Sequence, residues 1–215
     1  MSDGSLLPLA LDLRGRAILV CGESTHAREK IKLLLTAGAK LRLYSSLSDP
    51  NIDEFKDSVE WRSLPVEPND ISDVFLVVYV GEDRAEAARL FQMAEAKAKF
   101  ICCVDDPQHC NVIFPAIARS GKVQVAVSTS GLSPTLARKI KDQIQTEILG
   151  DDIGPFAEFL GRARARLNSR LAGIARRKDF WERVLATDIR RTLTTQGEDA
   201  ALEAIQMMLE AETQT

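Results

Sequence analysis

Histidine, aromatic residues and cysteine are scarce in this chain, and its charge leans strongly to neither sign. Among 215 residues there are two His and four Cys, and aromatics make up 6%. The fullest metal set the sequence offers is Cys102, Cys103, His109 and Cys110. Neighbours on a strand point to opposite faces, so Cys102 and Cys103 do not readily share an ion, and the spacing departs from zinc patterns. No metal centre is expected, and the thiols should pack as small buried hydrophobes of a reducing compartment. Lys and Arg number 28 against 31 Asp and Glu, a net charge of −3. That balance gives no bulk attraction to nucleic acid or to a membrane surface. No apolar run approaches the roughly 18 residues of a spanning helix. Near the N-terminus Asp3 stands where a secretion signal has a base, and Pro8 breaks a short apolar stretch. Together these absences point to a cytoplasmic protein. There is no internal repeat and no low-complexity segment.

What is present is a strand–helix alternation. Hydrophobic residues make up 45% and charged residues 27%, ordinary for a globular chain. Residues 17–20 form an apolar strand ending at Cys21-Gly22, and Ala27, Ile31, Leu34 and Leu35 recur at helical spacing up to Gly38. Further strands are predicted over 41–44, 59–64, 75–80 and 100–104. Gly81-Glu82-Asp83 opens an Ala-rich helix over 84–97. This alternation predicts an α/β fold, a Rossmann-type doubly wound parallel sheet. Past residue 105 the rhythm changes to a strand pair and a helix striped by Leu136, Ile140, Ile144 and Ile148, stopped by Gly150. The tail reads as all helix. Phe156, Leu160, Ala163, Leu167, Leu171 and Ile174 step by three and four along one face; Phe180, Trp181, Val184 and Leu185 seed another helix, and Leu202, Ile205, Met208 and Leu209 a last one. The expected division is a dinucleotide-binding domain (1–105), a dimerisation segment (106–150) and a helical domain (151–215). Residues 106–150 hold too few strands for a sheet of their own, which suggests pairing with a second copy.

Two stretches carry chemistry. After the first strand a dinucleotide loop would read G-x-G-x-x-G/A, and the chain reads Gly22-Glu23-Ser24-Thr25-His26-Ala27. Gly22 permits the tight turn and Ala27 close helix–strand packing, but Ser24 replaces the glycine over which the pyrophosphate approaches the backbone. Glu23 adds a negative charge beside the helix N-terminus. The second strand ends in Ser45-Ser46 with no acid for a ribose diol. The second stretch is 104–138. There a strand ends on Asp105-Asp106, and another runs through Ser128, Thr129, Ser130 and Gly131 to Ser133-Pro134. Ser133 suits an N-cap and Pro134 the first helical position. Carboxylates at one strand end and a bare helix N-terminus at another suit a polyanionic substrate whose chemistry involves protons. Asp106 has a plainer reading, capping the turn before Pro107.

The order of residues resembles one family, the precorrin-2 dehydrogenase/sirohydrochlorin ferrochelatase family of sirohaem synthesis. The resemblance rests on Leu7-Pro8-Leu9, Leu13-Arg14-Gly15-Arg16, the altered glycine loop with Arg28-Glu29-Lys30 and Leu33-Leu34-Leu35, and Val104-Asp105-Asp106-Pro107. It continues through Cys110-Asn111, Phe114-Pro115-Ala116-Ile117, Val125-Ala126-Val127-Ser128, Gly131 to Arg138, and Arg176-Arg177 with Phe180-Trp181-Glu182. Where the family's strand usually ends Ala-Ala-Thr beside the nicotinamide, this chain has Tyr79-Val80-Gly81.

The resemblance implies NAD-dependent oxidation of precorrin-2 to sirohydrochlorin by a homodimer. Some members also insert ferrous iron to give sirohaem, and others do not. Asp105 matches the family's key acid and is the candidate catalytic group. Candidate NAD-binding positions are Gly22, Glu23, Ser24, Thr25, His26, Ser45, Ser46 and Gly81. Donors for a tetrapyrrole bearing eight carboxylates are Asn111, Ser128, Thr129, Gly131 and Ser133. Residues 162–191 hold ten Arg or Lys against three acids, either a solvated face or a basic lid over the substrate. His109, beside the acid pair, could assist proton transfer or hold a metal in transit. Two alternatives stay open: a tetrapyrrole chelatase acting without NAD, and a non-enzymatic tetrapyrrole-binding scaffold whose cofactor loop has degraded.

Overall fold

Residues 17–22, AILVCG, are apolar on both sides, as a strand covered by helices on two faces must be. In the computed structural model, which describes residues 6–22, 25–45 and 53–213, this segment is β1 (Ala17–Gly22), at the centre of a parallel sheet. Its partners are β2 (Lys40–Tyr44), β3 (Glu60–Arg62), β4 (Leu76–Val80) and β5 (Phe100–Cys103), in the order β3-β2-β1-β4-β5. Period-two alternation sorts the side chains. Ile18 and Val20 join Ala27, Ile31 and Leu34 of α1 (Thr25–Thr36) in one core. Leu19 and Cys21 join Val77, Tyr79 and Ile101, with Ala87, Leu90 and Ala94 of α2 (Arg84–Glu95), in the other. The doubly wound expectation holds. The strand predicted over 59–64 contracts to three residues, and that over 100–104 stops at Cys103, where the chain turns.

The chain divides into two compact units, Met1–Phe114 with Ser130–Leu132, and Pro115–Thr129 with Ser133–Thr215. In the second, β6 (Ala116–Ser120) and β7 (Val123–Val127) form an antiparallel hairpin. α3 (Pro134–Gln143) begins as expected, with the Ser133 hydroxyl accepting from the Leu136 N–H. It continues as a wider-wound π-helical segment, Ile144–Leu149. That segment brings the Gln145 side chain to both backbone groups of Arg119, at 2.8 and 3.0 Å, closing the edge of β6. The expected apolar stripe is only partly covered: Leu136 and Ile148 are exposed and Ile140 and Ile144 half-buried, and the buried positions, Ala137 and Leu149, lie one residue off it.

The tail is helical throughout but cut differently from the periodicity. The face traced from Phe156 to Ile174 is not one helix. α4 (Ile153–Leu167) gives way to a tight turn over Asn168–Arg170, and α5 (Ile174–Leu185) starts after Gly173 at φ +84°. Leu171 is buried, whereas Ile174 is 85% exposed, so the stripe ends at the break. The Trp181 indole N–H donates to Asn168 Oδ1 at 3.0 Å and braces the turn. Helices α6 (Ile189–Gln196) and α7 (Glu198–Thr213) are separated by Gly197 at φ +93°. Their core holds Phe159, Phe180, Val184, Ile205 and Leu209.

Candidate active site

In an open parallel sheet, ligands bind beyond the carboxyl ends of the strands, where the strand order reverses. Here the reversal lies between β1 and β4, whose last residues, Gly22 and Val80, are register partners. Gly22 stands at φ +129°, and a Cβ on it would fall against the Val80 carbonyl oxygen. The turn therefore depends on a missing side chain. Ala27, fully buried, lets α1 close on the sheet. The first turn of α1 carries no acid. Glu23, Ser24 and Ser46 lie outside the described residues, as does the Thr25 side chain. Ser45 is buried at the end of β2.

The end of β4 is shaped by Tyr79. Its ring is buried in the core behind α2, and its hydroxyl donates to the Asp83 carbonyl at 3.2 Å. Gly81 makes room for it, since a Cβ there would meet the phenol. The bulky replacement for the family's alanine is thus turned inward. The Asp83 side chain caps α2, accepting from the Ala85 and Glu86 N–H groups at 2.8 and 3.3 Å.

After β5 the chain reverses tightly, the Asp106 N–H donating to the Cys103 carbonyl at 3.2 Å. Asp105 occupies this turn at φ +61°, a left-handed conformation that Asp tolerates better than most residues. Asp105 is exposed and Asp106 buried. Asp106 does not cap the turn as expected. Its side chain makes no capping bond and instead meets His109, Oδ2 to Nδ1 at 2.7 Å. Asn111 clamps the loop from below. Its Oδ1 accepts from the Ile101 N–H at 2.7 Å, and its Nδ2 donates to the Lys99 carbonyl and to Glu95. Cys110 completes the clamp, accepting from the Cys103 N–H and donating toward the Cys103 and Asp106 carbonyls. A hydrogen bond from Cys110 lowers the Cys102 pKa and raises that of Cys110 itself, while burial pushes Cys103 up to about 12. All four cysteines are free thiols.

These turns enclose a cleft of about 440 Å³ lined by His26, Val80, Gly81, Glu82, Asp83, Arg84, Ala87, Val104, Asp105 and Asp106. Of the sequence candidates, His26, Gly81 and Asp105 meet here. Glu82 and Arg84 were missed, although their place just after β4, at the reversal of strand order, was the available signal. The remaining donors belong to the turn after β7. There Thr129 Oγ1 accepts from the Ser133 N–H at 3.0 Å, and Ser130 and Gly131 both adopt positive φ. In the basic tail, Arg162 pairs with Glu198 and Arg190 with Asp152, each through two hydrogen bonds.

Three family models tile the chain. One, described as "Putative NAD(P)-binding", matches residues 9–116; "Sirohaem biosynthesis protein central" matches 121–147; "Sirohaem synthase dimerisation region" matches 152–209. The region described by dimerisation thus lies beyond the 106–150 segment to which the sequence reading gave that role. A sirohaem synthase of Sodalis glossinidius is 37% identical over 181 residues, 83% of this chain and 38% of that protein. One from Mannheimia succiniciproducens is 31% identical over 204 residues, 94% of this chain and 43% of that protein. The chain therefore spans about two fifths of the length of these relatives. The solved structure of a precorrin-2 dehydrogenase, 24% identical, superposes with a TM-score of 0.73, covering 94% of this chain and all of that one, which shows a shared fold.

Proposed function

We propose a function from this premise: the chain belongs to the precorrin-2 dehydrogenase/sirohydrochlorin ferrochelatase family, the dehydrogenase–chelatase module of sirohaem synthase. Its reaction is the NAD-dependent oxidation of precorrin-2 to sirohydrochlorin. The observation that carries this reading is Asp105, a carboxylate held in a left-handed turn in the cleft at the carboxyl edge of the sheet.

The described residues fit a dinucleotide. The β1–α1 turn has no side chain at Gly22, α1 packs closely through Ala27, and its first turn presents no carboxylate to a pyrophosphate. When bound, the nicotinamide supplies a hydride acceptor. The chain's part is then to remove a proton and to hold the macrocycle. Asp105 takes the proton, its exposed carboxylate being free, among the described residues, of the capping and pairing bonds that engage Asp83 and Asp106. Gly22 to His26, Ser45, Ser46 and Gly81 are the positions that would hold the cofactor. Asn111, Ser128, Thr129, Gly131 and Ser133 serve the substrate's carboxylates, with Asn111 acting by fixing the loop.

Insertion of ferrous iron is the second reading, since the same carboxylate could take pyrrole N–H protons. The homodimer belongs to the proposal as well, and so does the three-part division at 105 and 150. The exposed Leu136 and Ile148, on the helix packed against the hairpin, offer apolar surface, and light scattering should give about twice 23.7 kDa. A cytoplasmic location is proposed too. No helix among the described residues is long and apolar enough to cross a membrane. The deciding experiment is titration of NADH fluorescence with the purified chain, followed by precorrin-2 oxidation. Saturable binding with turnover is expected. No binding at millimolar nucleotide would remove the dehydrogenase and leave the NAD-independent chelatase or the scaffold.

A further inference from the structure

We propose that Asp106 and His109 form a relay that carries the released proton out of the cleft. The inference rests on the dehydrogenase reading above. Asp106 lines the cleft beside Asp105 yet is only 8% exposed. A carboxylate that far from water needs a partner. The turn does not require this one: its backbone bonds, Asp106 N–H to Cys103 and His109 N–H to Asp106, form without the side chain. The partner is His109, whose Nδ1 lies 2.7 Å from Asp106 Oδ2 and whose side chain is 25% exposed. Phe91 meets the imidazole edge-on at 5.9 Å and fixes the plane of the ring. Nδ1 is thereby aimed at the cleft-lining acid, and Nε2 has no protein partner among the described residues. One end of the dyad meets the cleft and the other reaches water.

This placement matters once a macrocycle covers the cleft. Oxidation sends a hydride, with its electron pair, to the nicotinamide, and one proton leaves the substrate for Asp105. With bulk water excluded, that proton needs a route onward. A proton passed to Asp106 crosses the 2.7 Å bond to Nδ1, and the imidazole releases the proton on Nε2 to solvent. No bond between heavy atoms changes in the relay; a flip of the imidazole that brings Nδ1–H to water, followed by loss there and uptake on Nε2, restores the starting tautomer. His109 acts only through Asp106 and is a positioning residue. Asp106 is the group at the cleft.

The test uses the full chain with precorrin-2 and NAD. Glutamine at 109 can still bond Asp106 but cannot pass a proton. His109→Gln should lower kcat about 10-fold, less than the roughly 10²-fold of a directly acting group. KM for both substrates should stay as in the parent, and added imidazole should restore most of the rate. Asp106→Asn should show the same loss without rescue, because the break then lies inside the cleft. A parent-like kcat in His109→Gln overturns the relay while leaving the dehydrogenase standing. So does a loss that imidazole does not touch and that follows a lowered melting temperature. A parent chain that binds NADH yet never oxidises precorrin-2 overturns both.

Discussion

The turn after β1 and the turn after β5 stand at the same edge of one sheet, yet they are held in different ways. At β1 the described part of the turn depends on what is missing, a Cβ on Gly22 that Val80 leaves no room for. At β5 the turn depends on what is present: Asn111 and Cys110 bond the backbone at Ile101, Cys103 and Asp106. A turn shaped by an absence can approach a ligand through bare backbone. One stitched by side chains can hold a reactive group in a conformation it would not choose. The difference matches the two tasks proposed, phosphate contact at one turn and proton chemistry at the other.

The sharpest way to break this comparison is Gly22→Ala. The methyl would meet a backbone carbonyl in the sheet centre at a φ that disfavours any side chain. A loss of about 3 kcal/mol or more is expected, from strain and clash together. Urea unfolding measures it, and a cost under about 1 kcal/mol would show that the β1 turn relaxes freely.

Next in size is Asp105. Asp105→Asn should cut turnover roughly 10²-fold with little change in stability, because Asn tolerates the left-handed conformation as Asp does. Asp105→Gly should lose the same activity but gain about 0.5–1 kcal/mol, since glycine takes φ +61° without strain. Opposite movement of activity and stability is the signature of a functional group held under strain. If Asp105→Gly is no more stable than the parent, the β5 turn stores nothing.

How much of this was legible in the sequence differs between the same two turns. The strand–helix alternation, and with it the doubly wound sheet, followed from apolar runs and helical spacing, because each is a local pattern; the order of the strands did not. Asp105 stood out because an acid pair ended an apolar strand. His109 stood out beside the acid pair, but that it meets Asp106 and not Asp105 did not, since a spacing of three reads equally as a capped turn. Tyr79 looked like an obstacle to the nicotinamide. Only the third dimension shows its ring beneath Gly81 and out of the cleft. The tail misled for a related reason. Leu171 keeps the helical period across a break that Gly173 and Asn168 create, so periodicity alone ran the two helices together.

With Tyr79 turned inward, Ser24 and Glu23 remain as the sequence's departures at the cofactor loop. Ser24→Gly should tighten NAD by about 1–2 kcal/mol if the hydroxymethyl group crowds the pyrophosphate. Fluorescence titration of both proteins measures it, and unchanged affinity would assign the weakness to Glu23. This effect is smaller than that of Gly22→Ala because a small polar side chain can shift where a backbone carbonyl cannot.

The smallest expected effect lies in the β5 turn and emerges only in alkali. Burial raises the Cys103 thiol from an ordinary 9.0 to about 12, with Cys110 and Asp106 nearby adding to the shift. A folded-state pKa above the unfolded one means that this stabilisation is complete below pH 9 and is lost as pH rises toward 12. Cys110, raised by its hydrogen bond with Cys102 and by burial, adds the same dependence above pH 9, whereas the lowered Cys102 acts mainly below it. Tyr44, raised by burial to about 12, and Tyr79, also raised by burial, add the same dependence only above their ordinary value of 10.0. The interval from pH 9 to 10 therefore reports on Cys103 and Cys110 together, and Cys103→Ala removes only the Cys103 share. Across it the melting temperature of the parent should fall faster than that of Cys103→Ala, while at pH 7 the two should differ by no more than about 1 kcal/mol. Parallel slopes would show that the Cys103 thiol is not what ties the β5 turn to pH.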